Sequence, residues 1–319
     1  MDQASNLRDI IKKKNTLSYK TNSSQKHNDQ TNDKNKKNDK SKDPARVITI
    51  TSGKGGVGKS NTSINLALEL SKLGKRVILI DADLGLANVE ILLGIRPKYN
   101  LSDLLYKDKT VSEIITYGPN NLGLISGGSG VFELMNLKKD DILKLTRSFY
   151  ELDRLADVII IDTGAGVSDN VTEFIINSSD VLLIVTPEPT SITDSYALLK
   201  SIARNPNFYK DKTSVKIISN GANSESEGLE IFQKISIVAY KYLDIDIEYL
   251  GMVPLDECVR KAVIKQMPYT VAYPNSEASQ GIRDIAKKIL IIDQEEKEEG
   301  KTTRGIVGMI YNFLKNKLD

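Results

Sequence analysis

The chain has one cysteine, Cys258, and one histidine, His27, in 319 residues, and each scarcity removes a class of chemistry. A lone cysteine forms no internal disulfide and no four-cysteine metal site, and the histidine sits in a polar tract. This usage fits a reducing cytosol. Long apolar runs are also missing. None approaches a membrane span, and Met1-Asp2-Gln3 opens a leader without the charged and apolar regions of a signal peptide. The sequence therefore predicts a cytoplasmic protein. Net charge is low, at +2, but unevenly placed: residues 1–46 hold twelve Lys/Arg against six Asp/Glu, leaving 32 and 36 for the remainder. A basic tail of this kind touches acidic lipid, nucleic acid or an acidic partner, or serves as a soluble spacer.

What is present is enough for a substantial core. At 40% apolar residues the length suits one large α/β domain with tails. Ala4, Leu7 and Ile11 fall at i, i+3 and i+7, with Asp2 placed to cap and Lys12 to Lys14 suiting the helix dipole, so residues 1–14 read as a short docking helix. Residues 15–45 are rich in Lys, Asn, Asp, Ser and Thr and read as a disordered basic linker, too polar to offset ordering entropy. Residues 46–292 alternate strand and helix. Strands are expected at Val47 to Thr51, Val77 to Ile80, Leu122 to Ile125, Val158 to Ile161, Val181 to Val185, Val215 to Ser219 and Ile247 to Leu250. Their near-continuous apolar character predicts a mostly parallel twisted sheet with helices on both faces and ligands at the strands' carboxyl ends.

Residues 293–303 are acidic and polar and read as a second linker. In residues 304–319, Ile306, Val307, Ile310, Phe313 and Leu314 form an apolar flank beside Arg304, Lys315 and Lys317. Such a helix lies on an anionic membrane surface, or it packs on its own domain or on a second subunit. The separating linker and basic flanks favour the membrane.

The segment Ser52-Gly53-Lys54-Gly55-Gly56-Val57-Gly58-Lys59-Ser60-Asn61 fits the phosphate-loop pattern GxxxxGK[ST] and carries a second lysine, Lys54. Its glycines let backbone N–H groups turn inward on a polyphosphate, and the following helix points its positive end at the phosphates. Gly53, Lys54, Gly55, Gly56, Val57, Gly58, Lys59, Ser60 and Asn61 are thus the candidate nucleotide-binding residues. Lys59 would reach the β and γ phosphates, and the Ser60 hydroxyl would bind Mg²⁺. Two aspartates, Asp81 and Asp83, end the second strand, placed for Asp83 to hold the attacking water and Asp81 to support Mg²⁺. Asp162 ends a run of four apolar residues, the Walker B position for the metal, and Gly164 and Gly166 make the following turn a candidate switch. Asn220 and Pro254 follow later strands, where they either frame the purine base or form ordinary turns.

Together these motifs resemble the deviant Walker A ATPases, the family that includes MinD, ParA, the nitrogenase iron protein and the arsenite-pump ATPase. The resemblance covers residues 45–292. It implies an ATP-dependent homodimer in which Lys54 reaches the partner's nucleotide, Asn88 lies at the dimer contact, Lys54, Lys59 and Asp83 serve catalysis, and Asp162 serves Mg²⁺. Within that family the chain most resembles the FlhG group, also called FleN or YlxH. The matches are Asp2-Gln3-Ala4 with Leu7-Arg8, SGKGGVGKSN at the loop, and DTGAGVSD from Asp162 to Asp169. That likeness implies control of flagellar number and placement, reversible inner-membrane attachment, flagellar basal-body partners, and stimulation of an FlhF-type GTPase with Gln3 as the critical side chain. The long tether and Asn220-Gly221-Ala222 depart from the group's pattern.

Other members of the superfamily fit less well. An iron–sulfur carrier needs bridging cysteines, and a tyrosine kinase of this fold needs a terminal tyrosine cluster, whereas the last twenty residues hold only Tyr311. A ParA-type partition ATPase on nonspecific DNA and a MinD-type division-site regulator stand as alternatives. The domain's acidic balance disfavours nucleic acid. A scaffold without hydrolysis would lack a catalytic residue, and none is missing.

Overall fold

The computed structural model describes residues 43–83, 88–127, 148–299 and 305–310. Its helices and strands alternate: β1 Arg46–Ser52, α1 Lys59–Lys72, β2 Val77–Ala82, α2 Asn88–Leu93, α3 Leu101–Tyr106, α4 Val111–Ile114, β3 Thr116–Tyr117 and β4 Gly123–Ser126. They continue with β5 Val158–Ala165, α5 Asp169–Asn177, β6 Asp180–Val185, α6 Pro189–Ala203, β7 Ser214–Ala222, α7 Glu225–Leu243, β8 Ile247–Pro254, α8 Glu257–Ile264, α9 Tyr269–Ala272 and α10 Glu277–Glu298. The strands form one sheet in the order β3-β4-β2-β5-β1-β6-β7-β8. Every pairing is parallel except β3 with β4. All seven expected strands are present; six run longer than expected, and the strand expected at Leu122 to Ile125 is shifted to Gly123–Ser126. The two-residue β3 is an addition.

Alternation along the strands explains the two layers of helix. Val158 and Ile160 of β5 face a core shared with Ile64 and Leu68 of α1 and Ile282 and Ile289 of α10. Ile159 and Ile161 face the opposite side, with Ile78, Ile80 and Phe174. Because side chains on a strand alternate between faces, a strand buried on both sides must be apolar throughout, and these are.

Two expected boundaries differ. The acidic stretch from residue 293 is not a linker at its start: α10 runs through Glu298, and Asp293 is buried and paired with Lys297 at 2.9 Å and with Arg46 at 3.4 Å. The flank expected at a membrane surface is inside the domain for its first turn. Residues 306–310 are helical, with Ile306 at 1%, Met309 at 2% and Ile310 at 7% exposure, packed with Ile78, Ile159 and Phe174; Val307 is partly buried against the same cluster. Each fully buried aliphatic side chain contributes about 1.5–3 kcal/mol, enough to hold a single turn. Asp153 fastens it from outside the segment, accepting the N–H of Ile306 at 2.9 Å and of Val307 at 3.4 Å. The same carboxylate accepts the backbone N–H of Ala45; burial pushes its pKa up while these three donors pull it down. Phe313 and Leu314, Gln3 with residues 1–14, and nearly all of the 15–45 linker lie outside the described residues.

Candidate nucleotide site

Between β1 and α1 the chain turns through conformations that require glycine. Gly56 has φ +80° and Gly58 φ +88°, in the left-handed region that strains other residues. A Cβ on Gly53 would lie 2.2 Å from the Asp194 carbonyl carbon of α6, so the loop base is pressed against that helix. The loop is braced from behind by Ser52 Oγ donating to the Lys54 carbonyl at 2.9 Å and by the Gly166 N–H donating to the Ser52 carbonyl at 2.9 Å. Of the later helices, α5, α7, α8 and α10 are capped by Ser168, Ser224, Asp256 and Ser276, while α6 and α9 have no side-chain cap. Helix α1 starts behind Gly58 with no side-chain cap, which leaves its first N–H groups for an anion.

Behind the loop lies a buried group of one lysine and two carboxylates. Lys59 Nζ bonds Asp162 Oδ1 at 3.0 Å, and Ser63 Oγ donates to the same oxygen at 2.8 Å. Asp162 is fully buried, and its Oδ2 has no partner. Register places Asp81 of β2 directly beside Asp162 of β5. Burial, and then the Asp162 charge, push the Asp81 carboxyl up to about 7, against the Asp83 N–H and Lys59. That N–H reaches Asp81 Oδ1 at 3.2 Å. Two carboxylates side by side with one buried ammonium are short of positive charge, and the unpartnered Asp162 oxygen marks where a cation fits. With the Ser60 hydroxyl the donors are all hard oxygens, as Mg²⁺ requires. Among the described residues no group of three or more acidic, histidine or cysteine side chains forms a cage. Such a sparse set suits a magnesium ion completed by phosphate and water, with Ser60, Asp81 and Asp162 as its protein side.

Asp83 closes the far end of this group, half-buried after β2. Gly164 lies beside it: a Cβ added there would sit in ordinary contact with Asp83 Oδ1, at 3.6 Å. Asn61 on α1 and Asn88 at the start of α2 are half-buried, and Pro254 ends β8 opposite Ala222.

Lys54 does not join Lys59. Its Nζ lies on Glu188 Oε2 at 2.6 Å and Thr190 Oγ1 at 2.8 Å, at the start of α6. The pair is 35% and 62% exposed, so the contact is worth only about 0–1 kcal/mol and restrains the lysine weakly. Asn220, expected to frame a base or form a turn, is in contact with the phosphate loop. Its Nδ2 donates to the Val57 carbonyl at 2.7 Å, so the amide rests on the phosphate loop.

The ParA family, described as NUBPL iron-transfer P-loop NTPase, matches residues 43–290. The chain is 41% identical over 246 residues to the antiactivator FleN of Pseudomonas aeruginosa, across 77% of this chain and 86% of the relative. It belongs to the ParA family of P-loop ATPases, in the FleN and YlxH group. The flagellum site-determining protein YlxH of Helicobacter pylori is 33% identical to this ParA-family ATPase over 255 residues, 77% of this chain and 82% of the relative. A chain of the MinC:MinD cell division protein complex of Aquifex aeolicus shares the fold at TM-score 0.59 and 27% identity, covering 77% of this chain and 96% of that one. In this ATPase, sequence reasoning missed Ser63, Glu188 and Thr190. The first lies one turn after Lys59 on the same helix, a spacing that carried the signal; the other two follow β6, a strand end that offered only its position.

Proposed function

We propose that this ATPase passes between a monomer and an ATP-held homodimer, and that the dimer attaches reversibly to the inner membrane to set flagellar number and placement. The contrast between its two loop lysines carries the reading. Lys59 is buried on Asp162, whereas Lys54 rests on an exposed pair and can leave it at little cost to reach the phosphates of a facing subunit. Mg²⁺ would be held by Ser60 and Asp162 with Asp81 in support, supplying charge neutralisation at the phosphates. Asp83 would orient the attacking water, and Asn88 would lie at the dimer contact. Gly53 to Asn61 would cradle the nucleotide, and Pro254 would border its base.

Residues 304–319 would supply the membrane contact, after undocking of the turn in which Ile306 and Ile310 are now buried. A single such helix binds lipid weakly, and a dimer presents two. Among the described residues no helix is long and apolar enough to cross a membrane. Residues 2–8, with Gln3, would stimulate an FlhF-type GTPase, since an exposed amide can orient an attacking water. Iron transfer, named in the family description, is not part of this reading, because Cys258 alone cannot build a cluster site.

The test is gel filtration and liposome sedimentation with ATP and with ADP, for wild type and Lys54→Ala. Wild type should dimerise and sediment with ATP only, and Lys54→Ala should do neither. An unchanged dimer in the variant contradicts the scheme, and binding to DNA but never to lipid would favour a partition ATPase.

A further inference from the structure

We propose that Ser63 is a positioning residue for Asp162, which fixes the turn of that carboxylate so that its Oδ2 stays free for Mg²⁺ when Lys59 moves to the phosphates. Ladder pairing with Ile50 of β1 on one side and Asp81 of β2 on the other holds the Asp162 backbone. The turn of its carboxylate is left to side-chain contacts. Two reach it from α1, and both fall on Oδ1: Lys59 Nζ at 3.0 Å and Ser63 Oγ at 2.8 Å. Residues four apart on a helix share a face, so one face of α1 supplies both donors. The two oxygens of a planar carboxylate diverge, and holding Oδ1 against α1 turns Oδ2 away from that helix. Oδ2 is buried and has no partner among the described residues.

A serine inside a helix commonly returns its proton to the carbonyl four residues back, and Ser63 Oγ does lie 3.1 Å from the Lys59 oxygen. One hydroxyl has one proton, however, and the Asp162 carboxylate is both the nearer acceptor and the charged one. The bond to Asp162 prevails. It matters most once nucleotide is bound, because Lys59 has one ammonium for two claims, the buried carboxylate and the phosphates, and sits on a flexible stem. Ser63, fully buried one turn into α1, has no such reach. It stays on Oδ1 when the ammonium leaves. Magnesium demands near-ideal octahedral geometry, and a donor that orients a ligating carboxylate from behind is worth about tenfold to a hundredfold in metal affinity.

Calorimetric titration with ADP, in Mg²⁺ and in EDTA, separates this role from a general effect on the loop and involves no turnover. In EDTA, Ser63→Ala should bind ADP as wild type does. The Mg²⁺ concentration that gives half of the metal-dependent gain in affinity should rise about tenfold or more in the variant. Electron paramagnetic resonance of Mn²⁺ titrated into the ADP complex should show the same weakening. Ser63→Cys fills nearly the same space with a poor donor, so it should follow the alanine variant. ADP weakened equally with and without metal would overturn the proposal, and so would a cysteine variant that matches wild type. Should Ser63→Ala not accumulate as folded protein, Ser63→Cys carries the same titrations. The inference rests on Asp162 serving Mg²⁺: a wild-type affinity that ignores Mg²⁺ overturns both, whereas one that rises with Mg²⁺ keeps that reading whichever way the variants behave.

Discussion

Strand β1 joins two buried ionic clusters, one at each end, and they differ in whether their charges are answered. At its amino end Arg46 bonds Asp180 at 2.9 Å, Glu296 at 2.9 Å and Asp293 at 3.4 Å; Lys216 adds a second cation on Asp180 at 3.0 Å, and Lys297 one on Asp293 at 2.9 Å. Among the described residues only Arg46 Nε lacks a partner there. At its carboxyl end, among the described residues, Lys59 is the one cation facing the adjacent carboxylates of Asp162 and Asp81, and an Asp162 oxygen is left bare. A closed cluster locks β1, β6, β7 and α10 together. An open one is short of positive charge and donors until nucleotide and metal supply them. The same residue types thus serve as scaffold or as site according to the balance of charge around them.

Substitutions that unbalance each end test the contrast. Lys59→Ala should have the largest effect: it strips the cation from a fully buried carboxylate, so the nucleotide-free protein should lose about 3–5 kcal/mol of stability and bind no ATP. Denaturant unfolding with calorimetry would check both, and a loss of stability with retained ATP binding would show that the carboxyl end is scaffold too. Arg46→Met should cost less, about 2–3 kcal/mol, because Asp180 keeps Lys216 and Asp293 keeps Lys297. Its folded fraction should bind ATP as wild type does; a changed affinity would mean that the two ends communicate.

The smallest effect is a slope. Asp81 takes up its proton more readily in the folded chain than in the unfolded one, so it favours folding at low pH, and that contribution is lost as pH rises from about 4 through about 7. In EDTA the stability of wild type should fall across that window by at most about 1.4 kcal/mol per pH unit, the limit for one proton. Asp81→Asn should flatten the decline, and an equally steep profile in the variant would remove Asp81 as its source.

The parts legible in the sequence are those in which one local pattern has one physical solution. Runs such as Val158 to Ile161 are apolar on both faces because helices cover both, and Gly56 and Gly58 announce backbone that other residues resist. Other parts had two solutions of equal local merit. The end of α10 reads as a polar linker because a solvated helix held by pairs four residues apart, Asp293 with Lys297 and Gln294 with Glu298, has the same composition. The stripe Ile306, Val307 and Ile310 is as suited to a protein core as to lipid, and the choice was made by Asp153, more than 150 positions away. Asn220 carried a turn signal and a base-contact position. Its partner, a backbone carbonyl in the loop, has no sequence signature at all.

Asp153 has a consequence for the two borders of the domain. Its carboxylate holds Ala45, where the domain begins, and Ile306 and Val307, which follow its last long helix. One buried carboxylate therefore fastens the start of the domain to the turn at its far border. Loss of that one side chain would free both borders of the domain at once.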